Sequence, residues 1–162
     1  MIISQRRACM EDYDALMSLV AEADELHARL MPTYFKRPAR PARSRAELSR
    51  VLGALDEIIY VVEATMPQPS ELLGMVHVQL YDTPPGPALV QRRRAHVDNI
   101  VVGTRHRRQG HGRALIDAAA QWARAKGAEE LLLTVWSGNG DAERFYERLG
   151  FGRISSVLGK SL

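Results

Sequence analysis

The chain has 162 residues, of which 46% are hydrophobic, and this length suits one ordinary domain with a sizeable core. Its 22 basic and 19 acidic residues give a net charge of +3, which is too mild to require a nucleic-acid partner. The single cysteine, Cys9, excludes an internal disulfide and a cysteine-based zinc site. No stretch reaches the roughly 20 apolar residues that span a membrane, and residues 1–14 lack the regions of a signal peptide. We therefore expect a cytoplasmic protein of one domain, residues 1–162, that binds neither nucleic acid nor a membrane.

The first third of the chain predicts one strand, residues 1–9, and two helices. Apolar residues recur at helical spacing from Asp12 until Pro32, which ends the first helix. A capping box, Ser44 followed three residues later by Glu47, begins the second helix. The segment between the two helices is rich in proline and arginine and is typical of a loop.

The rest of the chain predicts four further strands and two helices, with one more strand at its end. Three apolar strands come first, at residues 58–64, 72–81 and 96–102. Pro67 and Pro69 mark the turn of the hairpin that the first two form. A helix, an apolar strand, a short helix and a last strand follow, at residues 112–126, 130–136, 141–149 and 151–159.

The order of these elements predicts a single mixed α/β domain. It reads β-α-α-β-β-β-α-β-α-β, and no repeat or linker divides it. The strands at 96–102 and 130–136 flank a crossover helix, which makes them parallel, whereas hairpins join the earlier strands. The nearly continuous apolar run at 130–136 is typical of a strand covered on both faces.

Residues 107–112, RRQGHG, concentrate glycine and positive charge just before a helix. The first N–H groups of a helix have no partner within it and attract anions. Gly110 and Gly112 allow a sharp bend and a close approach of a ligand, and the neighbouring arginines supply donors suited to phosphate. Neither a Rossmann turn nor a P-loop is predicted, because their glycine and lysine patterns are missing. A sharp corner with solvated arginines fits the same residues.

Two motifs, in this order along the chain, resemble the signatures of the GNAT N-acetyltransferases. The first is a strand followed by [QR]-x-x-G-x-[GA] and a helix, and here it reads Arg107-Arg108-Gln109-Gly110-His111-Gly112. The second, N-x-x-A-x-x-F-Y-x-x-x-G-F, is matched by Asn139, Ala142, Phe145, Tyr146, Gly150 and Phe151. The resemblance covers residues 96–152 and implies the family's fold, in which the two parallel central strands splay apart.

The resemblance implies acetyl-CoA as co-substrate, no metal, and direct transfer of the acetyl group to a primary amine in a ternary complex. The pyrophosphate would lie on the turn, against Arg107, Arg108, Gln109, Gly110, His111, Gly112 and Arg113. The pantetheine arm would pair like an added strand with Ile100, Val101 and Val102. Asn139 and Ala142 complete the implied set of cofactor contacts.

Acetyl transfer requires a base for the amine, donors for the oxyanion and an acid for the leaving thiolate. Tyr146 occupies the position of the tyrosine that the family uses as the acid, and aromatic packing of the last helix is the alternative role. A backbone N–H near Val101 or Val102 is expected at the oxyanion. The base remains open between Asp98 and His96, which strand alternation places on one face. The resemblance favours the carboxylate, whereas an imidazole titrates closer to neutral pH.

The family builds its acceptor pocket where this chain has His27, Tyr34 and Phe35. A histidine on an apolar helix face is more often a core residue, so this role for His27 has an alternative. His77 receives no role, since the histidines show no metal-binding spacing. The expected partner is a small-molecule or peptide amine, and the resemblance also allows a homodimer. Two other functions stay open: a non-catalytic acyl-CoA-binding module of the same fold, and a nucleic-acid-binding domain that uses the arginine-rich turns.

Overall fold

A computed structural model describes residues 2–66 and 70–162 and shows one sheet with helices on both sides. The strands are Ile2–Arg7 (β1), Glu57–Met66 (β2), Glu71–Asp82 (β3), Arg93–Val102 (β4) and Glu130–Leu133 (β5). The helices are Tyr13–Leu30 (α1), Arg45–Gly53 (α2), His111–Ala125 (α3) and Gly140–Arg148 (α4). The strands lie in the order β1-β2-β3-β4-β5, with only the β4–β5 pair parallel in the described sheet. The predicted turn at Pro67 and Pro69 lies outside the described residues.

Local sequence signals determine where two of the helices begin. The Ser44 hydroxyl accepts a hydrogen bond from the N–H of Glu47 at 3.2 Å, and the Glu47 carboxylate accepts from the N–H of Ser44 at 2.7 Å. This confirms the predicted capping box of α2. Asn139 begins α4 in a related way, because its side-chain oxygen accepts from the N–H of Ala142 at 3.3 Å.

The core has two parts, one on each face of the sheet. On the first face, α3 packs its apolar stripe against the sheet through Leu115, Ala119 and Trp122. On the second face, α1 and α2 cover the sheet through residues such as Leu16 and Val51. We call these the α3 face and the α1 face.

A β-bulge in β4 changes which side chains of that strand point to each face of the sheet. His77 of β3 pairs with Asn99 and Val78 pairs with Val97, so Asp98 is an extra residue on β4. Before the bulge, Val97 belongs to the core of the α3 face; after it, Val101 belongs to the core of the α1 face. Strict alternation would place Val97 and Val101 on the same face. The added residue places them on opposite faces.

The parallel strands β4 and β5 separate soon after they meet, which confirms the predicted splay. Their pairing runs only from Arg94 with Glu130 to Val97 with Leu133. β4 continues to Val102, whereas β5 ends at Leu133. The predicted strand at 130–136 is therefore three residues too long, because the chain leaves the sheet where its partner diverges.

The predicted last strand, residues 151–159, is wrong. Residues 151–162, all within the described part of the chain, form no helix or strand, and Val157 is 98% exposed. β5 is thus an edge strand, and its residues are half-buried rather than covered on both faces as predicted. Residues 151–159 include the apolar side chains of Ile154, Val157 and Leu158, but these are 71%, 98% and 92% exposed. This segment gains too little buried area to offset the entropy of ordering its backbone.

Gly74 lies where β3, β4 and α3 meet, and a side chain there would clash. An added Cβ would come within 2.8 Å of the Val101 carbonyl oxygen and 3.2 Å of Leu115 Cδ1. We expect Gly74→Ala to lower the free energy of unfolding by about 1–3 kcal/mol, because a strand carbonyl cannot move aside. Gly53→Ala is the matched control, since its Cβ would meet nothing within 4 Å. It should leave stability unchanged or raise it by up to ~1 kcal/mol. Equal urea midpoints for the two variants would contradict this account.

Candidate active site

The gap between the diverging strands exposes one main-chain edge of β4. The N–H of Gly103 donates to the Leu73 carbonyl at 2.9 Å, so the preceding carbonyl, that of Val102, points the other way, into the gap. Alternation along the strand directs the main-chain groups of Ile100 and Val102 into the gap and those of Val101 toward β3. An extended chain can pair with such a free edge.

The turn that follows β4 has the backbone geometry of an anion site. It begins with a 3-10 turn, Thr104–His106, and then contains two left-handed residues, Arg108 with φ of 62° and Gly110 with φ of 88°. Nothing lies within 4 Å of the place where a Gly110 Cβ would be, so this face of the turn is open. The 15-residue helix α3 starts directly afterwards, and its first N–H groups have no partner within the helix.

Some side chains of the turn contact other residues of the protein, and others are exposed. Arg107 Nε donates to the Val102 carbonyl at 3.1 Å, and Arg113 lies 3.8 Å from Asp117. Arg108 and Gln109 are exposed. His111 is buried, and its Nε2 has no hydrogen-bond partner among the described residues. Burial, and then the nearby His106, lower the pKa of His111, so its ring adds no positive charge to the turn at neutral pH.

Gly112 is small for a reason that the sequence does not reveal. A Cβ at Gly112 would lie 3.1 Å from Cζ of Phe145 in α4. The glycine therefore admits the ring of α4 against the first turn of α3. This contact holds α4, which carries Tyr146, against the start of α3.

Tyr146 is half-buried on the α3 face, where it packs against the same core as Ile100 and Leu133. Its ring centroid lies 5.1 Å from that of Phe145 and 5.6 Å from that of Phe151. Burial raises the pKa of Tyr146 to about 12. The phenol therefore keeps its proton at neutral pH.

Asp98 lies at the bulge on the α1 face, so it and Tyr146 are on opposite faces of the sheet. His96 Nδ1 is 3.5 Å from one oxygen of Asp98, which brings the two predicted bases together. His77 Nδ1 is 3.6 Å from the other oxygen, and His77 Nε2 is 2.8 Å from the buried Glu57. Sequence reasoning missed the contacts of His77 and Glu57, because the neighbours of a strand residue can be named only when the register of all three strands is known.

An aromatic cluster brings the three predicted acceptor-site residues together. The rings of His27 and Phe35 stack with centroids 5.1 Å apart. Trp136, which the sequence missed, packs edge-on against Phe35 at 4.7 Å and lies 5.6 Å from Tyr34. Tyr34 is 63% exposed and His27 is half-buried, so His27 is not a core residue. We call these four residues the aromatic cluster; it joins the end of α1 to the chain that follows β5.

The described ranges, 2–66 and 70–162, offer no candidate metal site and no candidate membrane span. Three or more histidine, cysteine, aspartate or glutamate side chains do not come together there in a group that could hold a metal ion. No helix in those ranges combines the length and apolar character needed to cross a membrane.

Comparisons with known proteins agree on one family. The family profile described as "Acetyltransferase (GNAT) family" matches residues 20–151. The "Uncharacterized N-acetyltransferase YobR" of Bacillus subtilis (strain 168) is 39% identical over 59 residues, 36% of this chain. That match spans only 24% of YobR, about a quarter of its length.

Solved structures share the fold over the whole chain. A mutant of the BH1408 protein of Bacillus halodurans has a TM-score of 0.89 at 22% identity, with 100% of this chain and 99% of that chain covered. AAC(6')-Iy in complex with a bisubstrate analog containing CoA has a TM-score of 0.74 at 16% identity, with the same coverage of 100% and 99%. At such identities the likeness shows the fold alone.

The contact between Gly112 and Phe145 predicts a coupling between the two positions. Alanine is a better helix former than glycine, but at Gly112 its methyl group would press on the Phe145 ring. We expect Gly112→Ala to be more favourable in a Phe145→Leu background than in the natural chain, by at least about 0.5 kcal/mol. Denaturant unfolding of the four proteins in the double-mutant cycle measures this. Additive effects would show that the ring does not rest on Gly112.

Proposed function

We propose that this chain, which belongs to the GNAT family of acetyltransferases, transfers the acetyl group of acetyl-CoA to an amine. The observation that carries the proposal is the continuity of two binding features: the free edge of β4 at Ile100 and Val102 leads, through one short turn, to the start of α3. An extended pantetheine arm suits the strand edge, and a pyrophosphate suits the helix start. The same cofactor thus accounts for both features.

The cofactor contacts follow from this arrangement. The pyrophosphate takes the turn residues, Arg107, Arg108, Gln109, Gly110, His111, Gly112 and Arg113. Ile100 and the N–H of Val102 offer main-chain groups to the pantetheine arm, since the Val102 carbonyl accepts from Arg107 Nε, while Val101 anchors the strand through the α1-face core. The oxygen of Asn139 caps α4 at Ala142, and the amide nitrogen of Asn139 is the side-chain group that would donate to the cofactor. A structural neighbour supports this ligand, since the aminoglycoside N-acetyltransferase AAC(6')-Iy has been solved in complex with CoA.

The reaction we propose is direct attack in a ternary complex. The amine nitrogen forms a bond to the thioester carbon, and the resulting oxyanion takes a hydrogen bond from the N–H of Val102. The C–S bond then breaks, and the leaving thiolate takes its proton from Tyr146. An amine that arrives as a cation first loses one proton to solvent; Asp98, with His96 as the other candidate, then removes a second proton as the N–C bond forms. The phenolate of Tyr146 regains its proton from solvent after CoA leaves. The acid and the base thus work from opposite faces of the sheet.

The aromatic cluster supports an amine as the acceptor. Amines of the lysine type have a pKa of ~10.4 and arrive as cations. A cation is attracted to the face of tryptophan or tyrosine rings. Trp136 and Tyr34 offer such rings where the chain leaves β5, so the cluster suits a small-molecule or peptide amine.

Two alternatives make different demands. The packing of Tyr146 between Phe145 and Phe151 is also what a non-catalytic acyl-CoA-binding module would need. A nucleic-acid-binding role is less well supported, because carboxylates pair with several of the arginines that it would use: Arg93 with Asp82, Arg94 with Glu130 and Arg105 with Glu71. Binding to nucleic acid would fall steeply with added salt.

Calorimetric titration with acetyl-CoA tests the cofactor site. We expect micromolar binding to the natural chain. Gly110→Glu should weaken it at least about tenfold, because a carboxylate would replace open space beside the pyrophosphate. Gly127→Glu is the matched control: Gly127 has φ of 81° and equally open surroundings, but lies at the other end of α3. Equal affinities for the two variants would refute this site.

Tyr146→Phe tests the acid. The variant keeps the ring and its packing, so affinity for acetyl-CoA should stay unchanged while kcat falls about 10²–10⁴-fold. Release of the CoA thiol with a panel of primary amines measures this. Since burial raises the pKa of Tyr146 to about 12, its ionisation should not reduce the natural chain's rate between pH 7 and about pH 10. An unchanged kcat in the variant would remove Tyr146 from the mechanism, and absence of turnover by the natural chain would favour the acyl-CoA-binding module.

A further inference from the structure

A row of ionisable side chains leads from α2 across the sheet to the gap. Arg50 of α2 pairs with Glu57 of β2, and Glu57 contacts His77 of β3. His77 in turn faces Asp98 of β4, which also has His96 beside it. Exposure rises along the row: the Glu57 side chain is 5% exposed, that of His77 14% and that of Asp98 51%. The row therefore connects a buried charge to a carboxylate that solvent or a ligand can reach.

Glu57 determines which nitrogen of His77 carries the proton. Hydrogen bonds from Arg50 and then from His77 hold the pKa of Glu57 below its usual value, although burial opposes this. An ionised carboxylate can only accept, so at the 2.8 Å contact the Nε2–H of His77 must donate to Glu57. In the neutral ring, Nδ1 then carries a lone pair, and this nitrogen is the one that faces Asp98.

We propose that His77 is a positioning residue that receives the proton that Asp98 takes from the amine. The proposal rests on the function proposed above and adds a residue to it. As the N–C bond forms, a proton passes from the amine nitrogen to Asp98. It then moves from Oδ2 of Asp98 to Nδ1 of His77, and Asp98 returns to its carboxylate form. The proton leaves to solvent after the product departs.

Two physical arguments support this path. The 3.6 Å separation of Nδ1 and Oδ2 is too long for a hydrogen bond, but a side-chain movement of less than about 1 Å closes it. A carboxylate alone holds a proton weakly near neutral pH, whereas an imidazole changes its charge between about pH 5 and pH 8. The imidazolium would lie between two carboxylates, Glu57 and Asp98, which stabilise it.

Nitrogen-15 NMR of the imidazole rings tests the tautomer without any acceptor. Comparison with His77→Gln assigns the ring. We expect His77 in the natural chain to carry its proton on Nε2 at high pH. In Glu57→Gln this preference should weaken, because an amide can either accept or donate. A neutral His77 that carries its proton on Nδ1 would overturn the proposal.

The pH dependence of kcat/KM tests the role in transfer, with the amine of the panel that the natural chain acetylates fastest. His77→Gln should lower kcat at least about tenfold at pH 7 and change the shape of the pH profile, with KM for acetyl-CoA unchanged, because glutamine cannot take the proton from Asp98. Glu57→Gln should also lower kcat, because an amide no longer fixes Nδ1 of His77 as the accepting nitrogen.

His106→Gln is the matched control, since His106 also pairs with a carboxylate, Nε2 to Glu71 at 3.1 Å, but makes no contact with Asp98 in the described structure. It should keep kcat and the pH profile. If His77→Gln keeps both, or if His106→Gln loses either one, the proposal is wrong. A lack of turnover by the natural chain would instead refute the proposed function. The NMR measurement would still show which nitrogen of His77 carries the proton. Thermal unfolding of each variant shows that it is folded.

Discussion

The separation of β4 from β5 after Val97 is the constraint on which the rest of the site depends. The bulge adds Asp98 to β4 alone and increases its twist, so the two strands cannot remain paired. The main-chain groups of Ile100 and the N–H of Val102 are then left for water or a ligand, since backbone donors and acceptors need partners, whereas the Val102 carbonyl accepts from Arg107 Nε. The chain after β5 leaves the sheet for the same reason, and this brings Trp136 to the residues at the end of α1.

The bulge also decides which chemistry each face receives. Without an added residue, a strand presents alternate side chains to the same face throughout. Here the α3 face holds Tyr146 beside the glycine turn, and the α1 face holds Asp98 with its histidine neighbours. In the proposed mechanism the donor and the acceptor of protons are therefore on opposite faces of the sheet. Two groups that must be in opposite protonation states benefit from this separation, because neither perturbs the other directly.

The sequence predicted those features of the fold that local signals or a motif determine. Periodicity and the capping box of Ser44 and Glu47 gave the helices, and the crossover rule gave the parallel pair of strands. The splay came from the family resemblance. The bulge, the contact of Gly112 with Phe145 and the approach of His77 to Asp98 could not be predicted, because each depends on register or on packing between distant elements. The last strand was predicted wrongly because the apolar residues of 151–159 form a strand only where a sheet edge and a core are available to them.

Two buried charge networks in this fold differ in a way that bears on function. Arg6 pairs with the carboxylates of both Asp12 and Glu63, and these partners lie within β2 and the turn between β1 and α1. That network links β1 to β2 and to the turn before α1. The row from Glu57 instead ends at Asp98, whose side chain is half-exposed. Burying an ion pair is often no better for stability than apolar packing, so stability alone gives little reason to keep a charge at Glu57. In the proposed proton transfer, the buried carboxylate of Glu57 has a function, because it acts through His77 on Asp98.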